Sequence, residues 1–163
     1  MNHEQRNIYV TLECFVKKGD KYLMLHRKAD KKVMPNVWMA PGGKREFNEG
    51  LFECARREIK EETNLDIKNL RILCTGNAFL KDLGEELFFH FVGADYAGGE
   101  LPENPEDGEF KWLTLEEILK LDNLLAELKN ILPIILGDNP KVISYCATYE
   151  AGNKITDFKI ENP

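Results

Sequence analysis

Three acids crowd one side of the stretch Gly43 to Leu65: Glu58, Glu61 and Glu62. Read as a helix at about 100° per residue with Glu58 at the origin, Leu51, Ala55, Ile59 and Phe52 fall between about 20° and 120°, the width of a core-facing stripe. Glu62 falls near 40°, inside that stripe, with Glu58 on its margin and Glu61 flanking it one turn along. Carboxylates held half-buried so close together repel one another and are costly to desolvate. Such an arrangement calls for a cation, and an all-oxygen donor set suits a hard divalent one, Mg²⁺ or Mn²⁺. A solvated acidic face would leave the acid inside the apolar stripe unexplained.

The surrounding residues extend this pattern. Gly43, Glu49, Arg57, Glu58, Ile59, Glu61, Glu62 and Leu65 are spaced as Gly, five residues, Glu, seven residues, then Arg-Glu-aliphatic-x-Glu-Glu-x-x-aliphatic. This resembles the Nudix box. Asn64 stands where the box has its second Gly; after glycine, Asn is the residue best able to adopt the left-handed conformation that ends a helix. Trp38 and Pro41-Gly42-Gly43 carry the resemblance upstream.

The resemblance implies hydrolysis of a nucleoside diphosphate linked to another group, with a divalent metal and a water nucleophile. By resemblance Glu61 and Glu62 are metal ligands, Glu58 is a ligand, a general base or both, and Gly42 adds its backbone carbonyl. Arg57 and Glu49 would form a pair that orients the carboxylates; the alternative for Glu49 is a helix N-terminal acid favoured by the helix dipole. A later loop, Pro105 to Trp112, supplies a further acid in some relatives, and counting back from Trp112 favours Glu106, with Asp107 and Glu109 as neighbours. Gly43 lets the backbone approach closely, and Arg27 and Lys44 are candidate phosphate contacts. The tail after Trp112, with Leu132-Pro133-Ile134-Ile135, is similar to enzymes that clear oxidised purine triphosphates such as 8-oxo-dGTP. In the human member two adjacent Asp residues read the base; here Leu125-Ala126-Glu127-Leu128 leaves Glu127 alone for that role. The expected activity is therefore a Mg²⁺-dependent MutT-like pyrophosphohydrolase, releasing a nucleoside monophosphate and pyrophosphate. ADP-ribose or dinucleoside polyphosphate hydrolysis is the alternative on the same scaffold, and a non-catalytic nucleotide-binding module would not retain every box carboxylate.

The elements that must hold these residues follow from periodicity and breakers. Asn7 to Val16 alternates as a strand, with Ile8, Val10, Leu12, Cys14 and Val16 on one side; Tyr22 to His26 reads as a second, and Val37 to Gly43 as a short third running into the glycine turn. Leu70 to Leu80 and Glu86 to Ala94 read as paired strands joined by Lys81 to Glu85, and Tyr96 to Asp107 as a surface loop. Glu109 to Leu113 is a strand, Thr114-Leu115-Glu116-Glu117 has capping-box spacing, and Leu124 to Leu136 predicts a helix bent or shortened at Pro133. Strands mixed with few helices give an α/β (α+β) layered domain. The resemblance sharpens this to a mixed β-sheet sandwiched between α-helices over about residues 8–136, within a single domain spanning 1–163. Lys141 to Tyr149 and Ile155 to Ile160 predict an additional C-terminal β-hairpin (141–160), expected to complete a sheet edge and cover a pocket. Trp38, Phe79 and Phe88 are candidates to stack on a base, although strand aromatics are more often core; His90, between Phe89 and Phe91, reads as packed core.

The chain's 163 residues, 43% hydrophobic and 31% charged, suit one globular domain with a real core. Its net charge of -6 provides no basic surplus for a nucleic-acid backbone. A small nucleotide remains a suitable partner, because divalent ions reverse the local sign of a site. Cys14, Cys54, Cys74 and Cys146 show no metal spacing and read as reduced thiols of a cytoplasmic protein. The N-terminus lacks an apolar targeting segment, and the longest apolar run, Ile131 to Leu136, is too short to cross a bilayer. A homodimer is the assembly the family suggests.

Overall fold

Strand β1 (Ile8–Lys18) is buried continuously from Thr11 to Val16. It is therefore covered on both faces, as an inner strand of a layered sheet is, rather than on the single face its alternation suggests. The computed structural model describes residues 8–161, so Asn7 of the predicted strand lies outside the described residues. The other strands are β2 (Lys21–Arg27), β3 (Trp38–Met39), β4 (Gly42–Lys44), β5 (Asp66–Leu80), β6 (Glu85–Gly98), β7 (Gly108–Thr114), β8 (Ile143–Tyr149) and β9 (Ile155–Glu161). They form one mixed sheet in the order β3-β2-β1-β6-β5-β8-β9, with β4 paired to β1 and β7 to β2.

Helix α1 (Leu51–Thr63) covers one face of the sheet. Its Cys54, Ala55 and Ile59 pack with Leu12, Cys14 and Val16 of β1 and with Val92 and Ala94 of β6. The wheel put Phe52 in this stripe, but Phe52 is exposed and Cys54 is buried instead. The buried arc runs from Cys54 round to Thr63, and Phe52, in the first turn of the helix, is exposed within it. The opposite face is covered by α2 (Leu115–Leu119) and α3 (Leu128–Ile135), whose Ile118, Leu128, Ile131 and Leu132 pack with Phe15, Phe91 and Tyr145. Thr114 forms the expected capping box: its hydroxyl accepts from the Glu117 N–H at 3.3 Å, while Glu117 accepts from the Thr114 N–H at 2.8 Å.

Helix α3 begins later than the predicted Leu124. The preceding residues are taken by Trp38, whose N–H donates to the Asn123 carbonyl at 3.0 Å and whose carbonyl accepts from Leu125 at 2.9 Å. Pro133 lies inside α3 rather than ending it. The predicted loop from Tyr96 is shorter than expected, because β6 runs on to Gly98.

Two departures from a plain sheet matter for the site. Strands β1 and β2 pair only at Lys17–Tyr22 and Lys18–Lys21 and then diverge. Strand β4 fills the opening, with Leu12 opposite Gly43 and Glu13 opposite Gly42. The C-terminal hairpin forms as expected: β8 adds parallel to β5, and β9 pairs antiparallel to β8. Its turn is tied down by Asn153, which accepts from the Ala126 N–H at 2.8 Å and donates to the Leu124 carbonyl at 2.9 Å. Among the described residues no helix is long and apolar enough to cross a membrane.

Candidate active site

Arg57 organises the acids of α1. Its Nε and Nη2 donate to the two carboxylate oxygens of Glu49 at 2.8 and 2.9 Å, a bidentate pair. The same guanidinium donates from Nη1 to Glu58 at 2.7 Å and Glu61 at 3.2 Å, and from Nη2 to the Lys44 carbonyl at 3.1 Å. One cation therefore ties the glycine turn, the loop after it and the helix together. The Arg57 hydrogen bonds hold the Glu49 carboxyl down at about 2, and the same contacts with Glu49 push the guanidinium's own pKa up. The helix ends as expected at Asn64, which adopts φ 58° and donates its N–H to the Lys60 carbonyl at 3.0 Å.

Glu58 and Glu62 are half-buried, each beside other carboxylates. Burial raises the Glu58 pKa against the opposing pull of Arg57. Burial, then the charges of Asp107 and Glu58, push Glu62 up to about 8. Glu62 also accepts from the Gly42 N–H at 3.1 Å, which draws the glycine turn onto the helix. At Gly43 a Cβ atom would stand 2.5 Å from the Glu58 carboxylate, so this residue leaves the space the acid occupies. At Gly42 it would stand 2.2 Å from the Leu12 carbonyl oxygen, inside the backbone of β1.

Glu61 is drawn aside by Arg57 and its side chain is 60% exposed. Among the described residues no three acidic, histidine or cysteine side chains converge closely enough to hold an ion as they stand. The hydrogen bonds nevertheless engage only one oxygen each of Glu58, Glu61 and Glu62. An all-oxygen donor set with two half-buried acids of raised pKa fits a hard divalent cation.

In the later loop, Glu106 is exposed, and Asp107 is the residue whose charge reaches Glu62. The register explains the difference. Gly108 pairs with Arg27 at the end of β2, and the Asp107 carbonyl accepts from the Lys28 N–H at 3.0 Å, which brings residue 107 to the site edge. Asp107 is also paired with Lys31 at 2.5 Å.

Beside the glycine turn, on the sheet face opposite α1, opens a cavity of about 310 Å³. Its walls are largely apolar, including Met34, Met39, Leu87, Phe89 and Leu125, and its rim carries Arg27, Gly42, Gly43 and Lys44. The Arg27 Nε is buried without a hydrogen-bond partner. The Lys44 ammonium lies 3.8 Å from the Tyr9 ring centroid. Glu127 lines the cavity, almost fully buried, and accepts a hydrogen bond from the Tyr149 hydroxyl of the hairpin. Burial pushes the Glu127 carboxyl up to about 7.

The proposed stacking aromatics are elsewhere. Phe79 and Phe88 are 39% and 44% exposed on the other sheet face, because strand alternation gives the cavity to their neighbours Ala78, Leu80, Leu87 and Phe89. Trp38 is buried and stacked on His26 at 4.5 Å. His90 is partly buried, edge-on to Phe88 at 4.8 Å. All four cysteines are free thiols; Cys14, Cys54 and Cys74 are buried, Cys146 partly so.

One residue of this site is missing from the sequence reading. Glu13, fully buried on β1, lines the same cavity. Its Oε2 accepts from the Ala40 N–H at 2.9 Å, and its Oε1 is buried without a partner. The available signal was an acid in the middle of the apolar run Leu12 to Val16, where a solvated strand face would not place one.

Comparison with known proteins agrees with this geometry. The model of the NUDIX domain matches residues 9–133. The chain is 31% identical over 112 residues to the uncharacterized Nudix hydrolase YvcI of Bacillus subtilis, covering 66% of this chain and 67% of that protein. It is 29% identical over 123 residues to the phosphatase NudJ of Shigella boydii, covering 74% of this chain and 77% of that protein. The crystal structure of the MutT protein from Bacillus halodurans superposes with a TM-score of 0.81 at 24% identity, covering 95% of this chain and 99% of that one, and shares its fold. With the box residues gathered around Arg57 and the family model spanning most of its length, this chain belongs to the Nudix family and is a hydrolase of pyrophosphate bonds.

Proposed function

We propose that this chain is a Mg²⁺- or Mn²⁺-dependent pyrophosphohydrolase of a nucleoside triphosphate. Water adds across the α–β phosphoanhydride, giving a nucleoside monophosphate, pyrophosphate and a proton. The single observation that carries this reading is the junction of two unlike spaces. The acids held by Arg57 border, through Gly42 and Gly43, an apolar cavity of a volume suited to one base. Glu58, Glu61, Glu62 and the Gly42 carbonyl would hold the ion. When bound, the ion neutralises phosphate charge and makes water more acidic.

The chain's own groups carry the remaining work. Glu58, half-buried with its pKa raised, takes the proton of the attacking water. Arg57 and Glu49 keep that carboxyl in position. Arg27 and Lys44, on the rim, meet the phosphate oxygens, and Glu127 meets the base. An oxidised purine such as 8-oxo-dGTP is the substrate class this arrangement suits, and the protein acts on it in the cytoplasm.

The test is a panel of canonical and oxidised nucleoside triphosphates, ADP-ribose and a dinucleoside tetraphosphate, incubated with Mg²⁺. Pyrophosphate should appear with the triphosphates, and chelation of the metal should abolish it. Release of inorganic phosphate in its place, or turnover indifferent to both Glu58→Gln and Glu62→Gln, would contradict the assignment.

A further inference from the structure

The cavity contains a second acid that the phosphate chemistry does not use. Glu13 is 0% exposed and projects from the cavity face of β1, where the strand splits from β2. One of its oxygens is held by the Ala40 N–H, which leaves Oε1 buried with no hydrogen-bond partner. An unpaired buried oxygen of this kind is destabilising. Retaining it in a largely apolar pocket is explained if a ligand supplies the partner. Glu127 lines the same cavity, and its charge is felt at Glu13.

We propose that Glu13 is a specificity-determining residue which, together with Glu127, reads the hydrogen-bonding edge of a guanine-type purine seated in this cavity. This rests on taking the cavity as the base site of the function proposed above. A carboxylate offers only acceptors, whereas a carboxyl that keeps its proton also offers a donor. Two carboxyls deep in one apolar pocket disfavour a double negative charge, so one proton shared between them supplies both kinds of group. The guanine edge presents a keto oxygen beside a ring N–H and an amino group, one acceptor next to two donors. Adenine offers an acceptor ring nitrogen and one amino group, and leaves one of the two acids unmatched. Met39, Phe89 and Leu87 provide the apolar walls on which a ring can lie.

The experiment is metal-free calorimetric binding of dGMP, dAMP and 2-aminopurine deoxyriboside monophosphate, which keeps the amino group but lacks the keto oxygen. It is run on the wild type, Glu13→Met and Glu13→Gln. Wild type should bind dGMP about ten-fold more tightly than either analogue, the effect of one lost hydrogen bond to an acid. Glu13→Met should erase that ratio, and Glu13→Gln, which retains a donor and an acceptor, should preserve most of it. Equal weakening of all three ligands in Glu13→Met would assign Glu13 only to holding Ala40 and would overturn the proposal. If Glu13→Met does not fold, the wild-type comparison decides: dGMP and its analogues binding within a factor of about two rejects base reading. Binding without metal needs no turnover. Failure of every triphosphate to be hydrolysed would therefore sink the function above, while a retained dGMP preference would still support this reading of the cavity.

Discussion

Adjacent glycines of the turn do different work. A methyl group at Gly43 would meet the flexible end of Glu58, whereas one at Gly42 would meet the Leu12 carbonyl of a central strand. Gly43→Ala should therefore fold with a melting temperature near that of the wild type and lose at least about ten-fold in kcat, because the displaced carboxylate is misplaced for its proton. Gly42→Ala should instead lose stability, by roughly 2 kcal/mol or more, since backbone cannot step aside cheaply. Thermal melts and steady-state kinetics on the two variants separate these outcomes. Arg57 carries a different load: Glu49, Glu58, Glu61 and the Lys44 carbonyl all depend on its planar fork. Arg57→Lys retains the charge but not the bidentate geometry. It should reduce kcat on the order of 10²-fold, more than it alters KM, in the same assay.

At the scale of elements, the site is a meeting of ends. Helix α1 brings the acids, β4 brings the glycines, and the divergence of β1 from β2 makes room for both. The end of α1 matters because the chain must turn sharply into β5, and Asn64 does so in a left-handed conformation. Asn64→Ala should lower stability by about 1 kcal/mol, while Asn64→Gly should leave it within about 0.5 kcal/mol of wild type. Denaturant titration of both variants checks the contrast. The hairpin is part of the site as well as of the sheet. Tyr149 reaches Glu127, and Asn153 holds the segment just before it through the Leu124 carbonyl and Ala126 N–H. Asn153→Ala should raise KM several-fold with little effect on kcat, as loss of positioning for Glu127 in its proposed contact with the base would.

For the whole molecule, the buried acids set a pH dependence opposite in sign to that of an ordinary surface carboxylate. Burial penalises the charge of Glu127 and pushes its carboxyl up to about 7 in the folded chain, from an ordinary value of 4.5. The folded state thus binds more protons between these values. The stability Glu127 contributes is complete below about 4.5 and is lost as pH rises through about 7. Glu127→Gln retains an acceptor for Tyr149 and removes the ionisation. Its melting temperature should match the wild type near pH 4.5 and exceed it by roughly 7–14 °C at pH 8, at about 1.4 kcal/mol per pKa unit and about 2–4 °C per kcal/mol in a domain of this size. A gap that stayed constant across that range would refute the assignment of the buried charge.

The local devices were legible from the residue order alone. The acids on α1, the Asn64 turn and the Thr114 cap are matters of spacing along one element, which helical periodicity and short-range hydrogen bonding dictate, whereas the pairing of Arg57 with Glu49 in the preceding loop was legible only through the family resemblance. What the linear chain could not show is which residues of distant strands share a cavity. Glu13 and Glu127 are 114 positions apart in the numbering and meet only because β1 splits from β2 and the hairpin closes the far wall. Phe79 and Phe88 point the same lesson, since the face an aromatic takes is decided by strand register rather than by its kind. Likewise Asp107, not Glu106, reaches Glu62, because the pairing of Gly108 with Arg27 sets which loop acid arrives. Helix chemistry is a property of neighbours in sequence; the composition of the pocket is a property of strand pairing, and that is settled only when the sheet closes.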